Sequence, residues 1–197
     1  MNFDTTLRAT AHNGNQVEYG IIRGNNKIVF IKSGAGGDYR GYDDKYLKMA
    51  RRINMRSGFT VITSSNPGTK DLTYEIDKFV LDKYVSDNGL KDVEFYLIGS
   101  SNGAYQNIFL IKKLPLVKKI LCINMPLMMN FQKATKELEG TPFIEKIFVC
   151  GSDDPSIPYL PLLEAKKIPN LTTVTVNGAD HNFYGMNDEF ILLSDMI

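Results

Sequence analysis

The chain has 197 residues, of which 43% are hydrophobic and 23% charged, the make-up of an ordinary globular protein with one well-buried core. Its 23 basic and 22 acidic side chains leave a net charge of +1, so no global field favours nucleic acid or an anionic membrane as a partner. The N-terminus lacks the apolar segment of an export signal, and no apolar run is long enough to span a bilayer. We therefore predict one cytoplasmic domain, residues 1–197, without membrane or nucleic-acid partners.

The first elements predict a hairpin followed by a buried strand. Residues 7–11 and 16–22 flank Asn13-Gly14, a pair that tolerates the positive φ angles of a type I′ turn. The next strand, 27–32, is uniformly apolar at its centre, as expected for a strand that is covered on both faces.

Helices and strands alternate through the rest of the chain. Apolar residues at helical spacing predict helices over 42–54 and 70–85, and residues 125–143 leave room for one helix at most. The remaining predicted elements are strands at 59–63, 94–99, 117–124, 144–150 and 171–176, a helix after residue 103 and a C-terminal helix from about residue 187. This alternation predicts an α/β fold: a mainly parallel twisted sheet with an N-terminal antiparallel hairpin and helices on both faces.

The two cysteines, Cys122 and Cys150, fall in apolar runs typical of buried strands. Because the chain shows no export signal, we predict reduced thiols rather than a disulfide. Neither cysteine has a second cysteine or a histidine at metal-binding spacing, so no metal site is predicted.

The turn after the strand at 94–99 contains the pattern G-x-S-x-G, formed by Gly99, Ser101 and Gly103. In this pattern a strained strand-to-helix turn presents the serine hydroxyl at the top of a sheet. Glycines are needed because a Cβ two residues to either side would collide with its neighbours. The pattern is short enough to arise by chance, and the alternative is a buried turn whose serine caps the helix. Ser101 is therefore a candidate nucleophile that needs support from other loops.

In a mainly parallel sheet, function collects where the strands end, so the loop after the strand at 27–32 is informative. Its small residues, at positions 33–37, let backbone N–H groups approach a ligand closely. Hydrolases with a serine elbow take one oxyanion N–H from this loop and one from the residue after the nucleophile, here Asn102. We regard Gly34 and Gly36 as candidate substrate contacts. A flexible turn without a ligand is the alternative.

Two more strand ends carry a candidate acid and a candidate base. The strand at 144–150 runs into Asp153 and Asp154, either of which is able to orient an imidazole, and the last strand runs into His181. Taken singly, these are also residues of ordinary solvated turns. Taken together, they follow the chain order serine, aspartate, histidine that is found in hydrolases with this elbow.

With these motifs the chain resembles a small, lidless member of the α/β-hydrolase superfamily over nearly all of its length. The elbow matches the family's nucleophile turn, and residues 178–183 are similar to its histidine loop. Residues 151–158 resemble the family's acid loop, G-x-x-D-x-x-[VI]-P, and that alignment selects Asp154 over Asp153.

The oxyanion loop departs from the family pattern at its start. Many members have His-Gly where this chain has Ser33-Gly34, which leaves the first donor open among Ala35, Gly36 and Gly37. Alignment with the family favours Ala35.

The resemblance implies a serine hydrolase of carboxylesterase or thioesterase type that acts on a small-molecule acyl substrate. Ser101 would attack the acyl carbon, His181 would take its proton, Asp154 would orient His181, and the N–H groups of Asn102 and Ala35 would hold the oxyanion. No cofactor is required.

The segment after residue 124 is too short for the cap domain that many relatives carry, so we expect an open site. Met128 and Phe131 in this segment are candidates for lining an acyl pocket, and the alternative is that they pack a helix onto the sheet. The same fold also serves peptidases and acyltransferases. A second hypothesis is a non-catalytic binding or regulatory module, against which the retained serine, aspartate and histidine argue. The sequence does not predict an oligomeric state.

Overall fold

The chain folds around an eight-stranded sheet with helices on both faces. A computed structural model describes residues 1–11, 14–68 and 73–197. The strands are β1 (Thr5–Thr10), β2 (Gln16–Ile22), β3 (Asn25–Lys32), β4 (Phe59–Ser64), β5 (Glu94–Ser100), β6 (Val117–Ile123), β7 (Glu145–Gly151) and β8 (Leu171–Val176). The α-helices in the described ranges are α1 (Lys45–Ser57), α2 (Tyr74–Asp87), α3 (Asn102–Leu110), α4 (Leu127–Glu139), α5 (Leu160–Ala165) and α6 (Asn187–Leu192).

The sheet has the strand order β1-β2-β4-β3-β5-β6-β7-β8. β2 pairs antiparallel with both β1 and β4, and every other pairing is parallel. The predicted fold class, a mainly parallel sheet with an N-terminal antiparallel hairpin, is therefore confirmed. The turn predicted at Asn13-Gly14 includes a residue outside those that the structure describes.

The apolar centre of β3 faces two separate cores. Ile28 and Phe30 point to a core that α2, α3, α4 and α5 cover, whereas Val29 and Ile31 point to a core that α1 and α6 cover. All four side chains are buried. Because successive residues of a strand point to opposite faces, the centre of a strand between two helical layers is apolar at successive positions.

Helix boundaries differ from the sequence prediction where local backbone geometry intervenes. Asp43 and Asp44 have left-handed backbone angles, with φ of 51° and 55°, so a short 3₁₀ turn precedes α1 and the α-helix starts only at Lys45. Gly58, with φ of 69°, ends α1 through an N–H donated to Asn54 O. The six-residue helix α5 was not predicted, because Pro155, Pro158 and Pro161 in and before it are typical of turns.

Cys122 on β6 and Cys150 on β7 are free thiols buried in the sheet, as the sequence predicted. Among the described residues, every helix is too short or too polar to cross a lipid bilayer.

Candidate active site

The turn between β5 and α3 has the strained geometry expected of a nucleophile elbow. Ser101 has φ 52° and ψ −124°, outside the regions that a residue with a side chain normally occupies. A Cβ on Gly99 would collide with the backbone of Ala104, and a Cβ on Gly103 would collide with carbonyl oxygens at the end of β3. Both glycines are therefore required by the close approach of helix and strand. Ser101 N–H donates to Ile123 O at 2.8 Å, which ties the turn to β6.

The loops after β5, β7 and β8 bring three side chains into one hydrogen-bonded chain. Ser101 Oγ lies 2.8 Å from His181 Nε2, and His181 Nδ1 lies 2.5 Å from Asp154 Oδ2. An ionised carboxylate only accepts hydrogen bonds, so a neutral imidazole beside one carries its proton on Nδ1 and donates to Asp154. The lone pair of Nε2 then faces the serine hydroxyl, so the imidazole is oriented to accept the hydroxyl proton.

The carboxylate that contacts His181 is Asp154 and not its neighbour. Asp154 is 2% exposed, and its second oxygen, Oδ1, accepts the Ser156 N–H at 2.6 Å. Asp153 is exposed, and its Oδ1 accepts the Ser152 hydroxyl at 2.9 Å instead. The structure therefore places the aspartate that the family alignment selected next to His181.

Asn124, at the carboxyl end of β6, holds the acid and histidine loops together and was missed by sequence reasoning. Its side-chain Nδ2 donates to Asp180 O and His181 O, both at 2.9 Å, and its Oδ1 accepts the Gly151 N–H at 2.8 Å. Asn124 is fully buried. A polar residue at the end of an otherwise apolar strand was the available signal.

The loop after β3 also lies next to Ser101. A Cβ on Gly34 would lie 3.3 Å from Ser101 Cβ, so a side chain at this position would crowd Ser101. Gly37 N–H already donates to Gly34 O at 2.9 Å, and Gly36 N lies against Gly68. In the described part of the chain, the N–H groups of Ala35 and Asn102 have no protein acceptor.

Met128 and Phe131 lie on α4, in the connection between β6 and β7. Met128 is 39% exposed, and its Sδ accepts a hydrogen bond of 3.5 Å from Ser156 Oγ, beside Asp154. Phe131 is partly buried against the core, with its ring 6.0 Å from that of Tyr159. Met128 thus lies at the edge of the site, whereas the contacts of Phe131 are those of a packed helix.

The fold matches solved structures over nearly the whole chain. A serine hydrolase homologue from Coxiella burnetii shares 17% identity at a TM-score of 0.71, with 98% of this chain and 97% of that one covered. A protein of unknown function from Agrobacterium tumefaciens shares 18% at 0.75, covering 98% and 94%. The esterase domain of a Rhodothermus marinus protein shares 11% at 0.71, covering 98% and 95%. The chain has the α/β-hydrolase fold.

No protein-family model matches the sequence, and no curated protein matches it significantly. At these identities the structural likeness establishes the α/β-hydrolase fold alone, so any activity must be argued from the site. Within the described ranges, no group of three or more His, Cys, Asp or Glu side chains is arranged to hold a metal ion.

Proposed function

We propose that this chain is a serine hydrolase that cleaves small carboxylic esters or thioesters through an acyl-enzyme intermediate. The observation that carries the proposal is the continuous hydrogen-bonded chain from Ser101 Oγ through His181 to Asp154. A serine hydroxyl is a weak nucleophile until a base removes its proton, and a histidine held by a carboxylate supplies that base. A non-catalytic binding or regulatory module would not need these three groups in contact.

In the proposed first half-reaction, Ser101 Oγ bonds to the acyl carbon while its proton passes to His181 Nε2. The imidazolium that forms is stabilised by Asp154, which stays ionised. The tetrahedral intermediate then collapses, the bond to the alkoxide or thiolate breaks, and His181 returns the proton to that leaving group. In the second half, His181 takes a proton from water as the water oxygen bonds to the acyl carbon. His181 then returns the proton to Ser101 Oγ as the bond between the acyl carbon and Oγ breaks and the carboxylic acid leaves.

The oxyanion of each tetrahedral intermediate would be held by the N–H groups of Asn102 and Ala35. Asn102 is the first residue of α3, so its N–H adds to the positive end of the helix dipole. Ala35 is favoured as the second donor by alignment with the family, and Gly37 is the weaker candidate because its N–H already donates to Gly34 O. Such preorganised donors supply a large part of the rate enhancement in acyl transfer, about 10²- to 10³-fold each.

The substrate is proposed to be small. Gly34 leaves room beside Ser101, a Cβ on Gly36 would meet no atom within 4 Å, and Met128 offers an adaptable apolar edge next to Asp154. Phe131 is the weaker of the two acyl-pocket candidates, since its contacts lie within the core. The connection that carries α4 adds no cap domain over the site, so we propose an open cleft without cofactor.

Labelling with a fluorophosphonate and turnover of p-nitrophenyl acetate test this proposal directly. Wild-type protein and the Ser100→Ala variant should label and turn over, whereas Ser101→Ala should do neither. Ser100 is the matched control because it is the other serine of the elbow. Absence of labelling in the wild type, or equal turnover by wild type and Ser101→Ala, would contradict the hydrolase function and favour a binding module. A parallel series of thioesters and peptide substrates separates esterase from thioesterase and peptidase activity.

A further inference from the structure

A buried asparagine lies between the two loops that carry the proposed oxyanion donors. Asn66 follows β4 and is 2% exposed. Its Nδ2 donates to Ser33 O at 3.2 Å, at the start of the loop that carries Ala35, and to Asn102 Oδ1 at 2.9 Å. One amide group therefore contacts both loops at once.

The backbone around Asn66 also fixes the far end of the first loop. Asn66 N–H donates to Gly37 O at 2.8 Å, and the same oxygen accepts the Ser33 hydroxyl at 2.9 Å. Two residues further on, Gly68 lies so close that a Cβ on it would be 2.8 Å from Gly36 N. Asn66 thus holds Ser33 and Gly37, the two residues that bracket the tip of the loop.

Asn102 is held from its other side by a second buried amide. Gln106 Nε2 donates to Asn102 Oδ1 at 2.8 Å, and Gln106 Oε1 accepts both the N–H and the hydroxyl of Thr73 at 2.8 Å. Gln106 and Thr73 are buried. Because two fixed donors converge on one oxygen, the Asn102 side chain has a single orientation relative to the loop after β3.

We propose that Asn66 is a positioning residue that sets the distance between the two oxyanion donors, Ala35 and Asn102. This inference rests on the proposed serine hydrolase function. Oxyanion donors act only when they lie about 2.7–3.1 Å from the developing charge, and a misplacement of about 1 Å costs roughly 10²-fold in rate. The loop after β3 is rich in glycine and cannot hold that geometry by itself. Asn66 supplies the rigid link without touching the substrate.

The test compares Asn66→Ala and Asn66→Asp with wild type, Ser101→Ala and Asn54→Ala. Asn66→Asp keeps the side-chain volume but replaces the donating amide with an acceptor. Asn54 is the matched control, since its amide also donates to two oxygens, here the backbone carbonyls of Arg23 and Phe59 at 2.9 and 2.8 Å, but outside the elbow. The readouts are kcat and KM for p-nitrophenyl acetate and the affinity for a trifluoromethyl ketone, which adds to a serine to form a bound oxyanion.

Both Asn66 variants should lower kcat by about 10- to 100-fold with KM nearly unchanged, and should weaken the ketone by the same factor. A merely structural role would lower stability, as Asn54→Ala should, without moving these readouts together. If the wild type is active and Asn66→Asp keeps the wild-type kcat and ketone affinity, the inference about Asn66 is overturned and the proposed function is not. A wild type without Ser101-dependent turnover would overturn the proposed function, and the role of Asn66 with it. If Asn66→Ala does not fold, the near-isosteric aspartate variant decides.

Discussion

Two neighbouring aspartates differ in burial and partners, and this difference assigns their roles. Asp154 contacts His181 Nδ1 and the Ser156 N–H, whereas Asp153 is exposed and accepts only from Ser152 in its own loop. Composition and spacing could not separate the pair, because both follow the same strand. The resemblance of residues 151–158 to the acid loop of the α/β-hydrolase superfamily selected Asp154, and the position of the histidine loop in space agrees with that choice.

Exchange of each aspartate for asparagine tests this assignment. Asp154→Asn removes the charge that stabilises the imidazolium and lets His181 adopt the wrong tautomer, so kcat should fall by about 10⁴-fold. Asp153→Asn should change kcat by less than about two-fold, because its carboxylate has no contact with His181. Ester hydrolysis at neutral pH measures both. Similar losses in the two variants, or a larger loss in Asp153→Asn, would contradict the assignment.

The two buried thiols, Cys122 and Cys150, are protected from thiol reagents by their surroundings. Burial raises the pKa of Cys122, and burial together with the neighbouring Asp154 raises the pKa of Cys150 to about 12. The thiolate is the reactive form, so folded protein at pH 8 should release no thionitrobenzoate from Ellman's reagent within minutes. In guanidinium chloride both thiols should react. Rapid reaction of either thiol in the folded protein would show that β6 or β7 opens locally.

Among the elements, the ends of β3 and β4 are joined by a buried charge cluster beneath the oxyanion loop. Lys32 is fully buried and lies 2.9 Å from Asp77 Oδ2. Its Nζ also donates to Ser64 Oγ and Ser65 O, and Tyr19 donates to the same aspartate at 2.9 Å. Burial lowers the pKa of Lys32, an effect that Asp77 opposes. The pair therefore holds strand ends together at a substantial desolvation cost.

Removal of one member of this pair should destabilise the protein strongly. Lys32→Met leaves the Asp77 carboxylate buried without its cation, which should cost about 3–5 kcal/mol in the free energy of unfolding. Urea unfolding followed by circular dichroism measures the loss. Lys83→Met breaks the exposed pair with Asp87, and its free energy of unfolding should equal that of wild type within error. The double change Lys32→Met with Asp77→Leu should recover much of the lost stability, and a failure to recover would point to packing rather than charge.

At the scale of the whole molecule, the fold class was predictable and the strand order was not. The strands at 59–63 and 94–99 are predictable because apolar residues there are bounded by turn residues. Nothing in those residues shows that β4 lies between β2 and β3, because neighbours in a sheet are chosen by contacts between distant parts of the chain. The hairpin was the exception, since a short loop makes its partners adjacent.

In the candidate site, too, some residues were predictable from the sequence and others were not. Ser101, Asp154 and His181 were predictable because reactive residue types follow strands, and parallel strands end at one edge of the sheet. Asn66 and Gln106 were not, since their partners Ser33 and Thr73 are distant in sequence, and Asn124 offered only the signal of a polar residue at the end of an apolar strand. The hydrogen bonds of these side-chain amides around the elbow are therefore visible only in the folded structure.

One sheet between two helical layers has a consequence for how the molecule unfolds. Alternate residues of β3 belong to the two apolar cores, so neither core can be lost while the other keeps its sheet. We therefore expect a single cooperative transition in urea, as for one domain. The chain has ten tyrosines and no tryptophan, so tyrosine fluorescence and far-ultraviolet circular dichroism are suitable probes of packing and of backbone structure. The two curves should coincide, with one midpoint and one slope. A tyrosine transition that precedes the loss of helix would show that one layer detaches first, and would contradict a single folding unit.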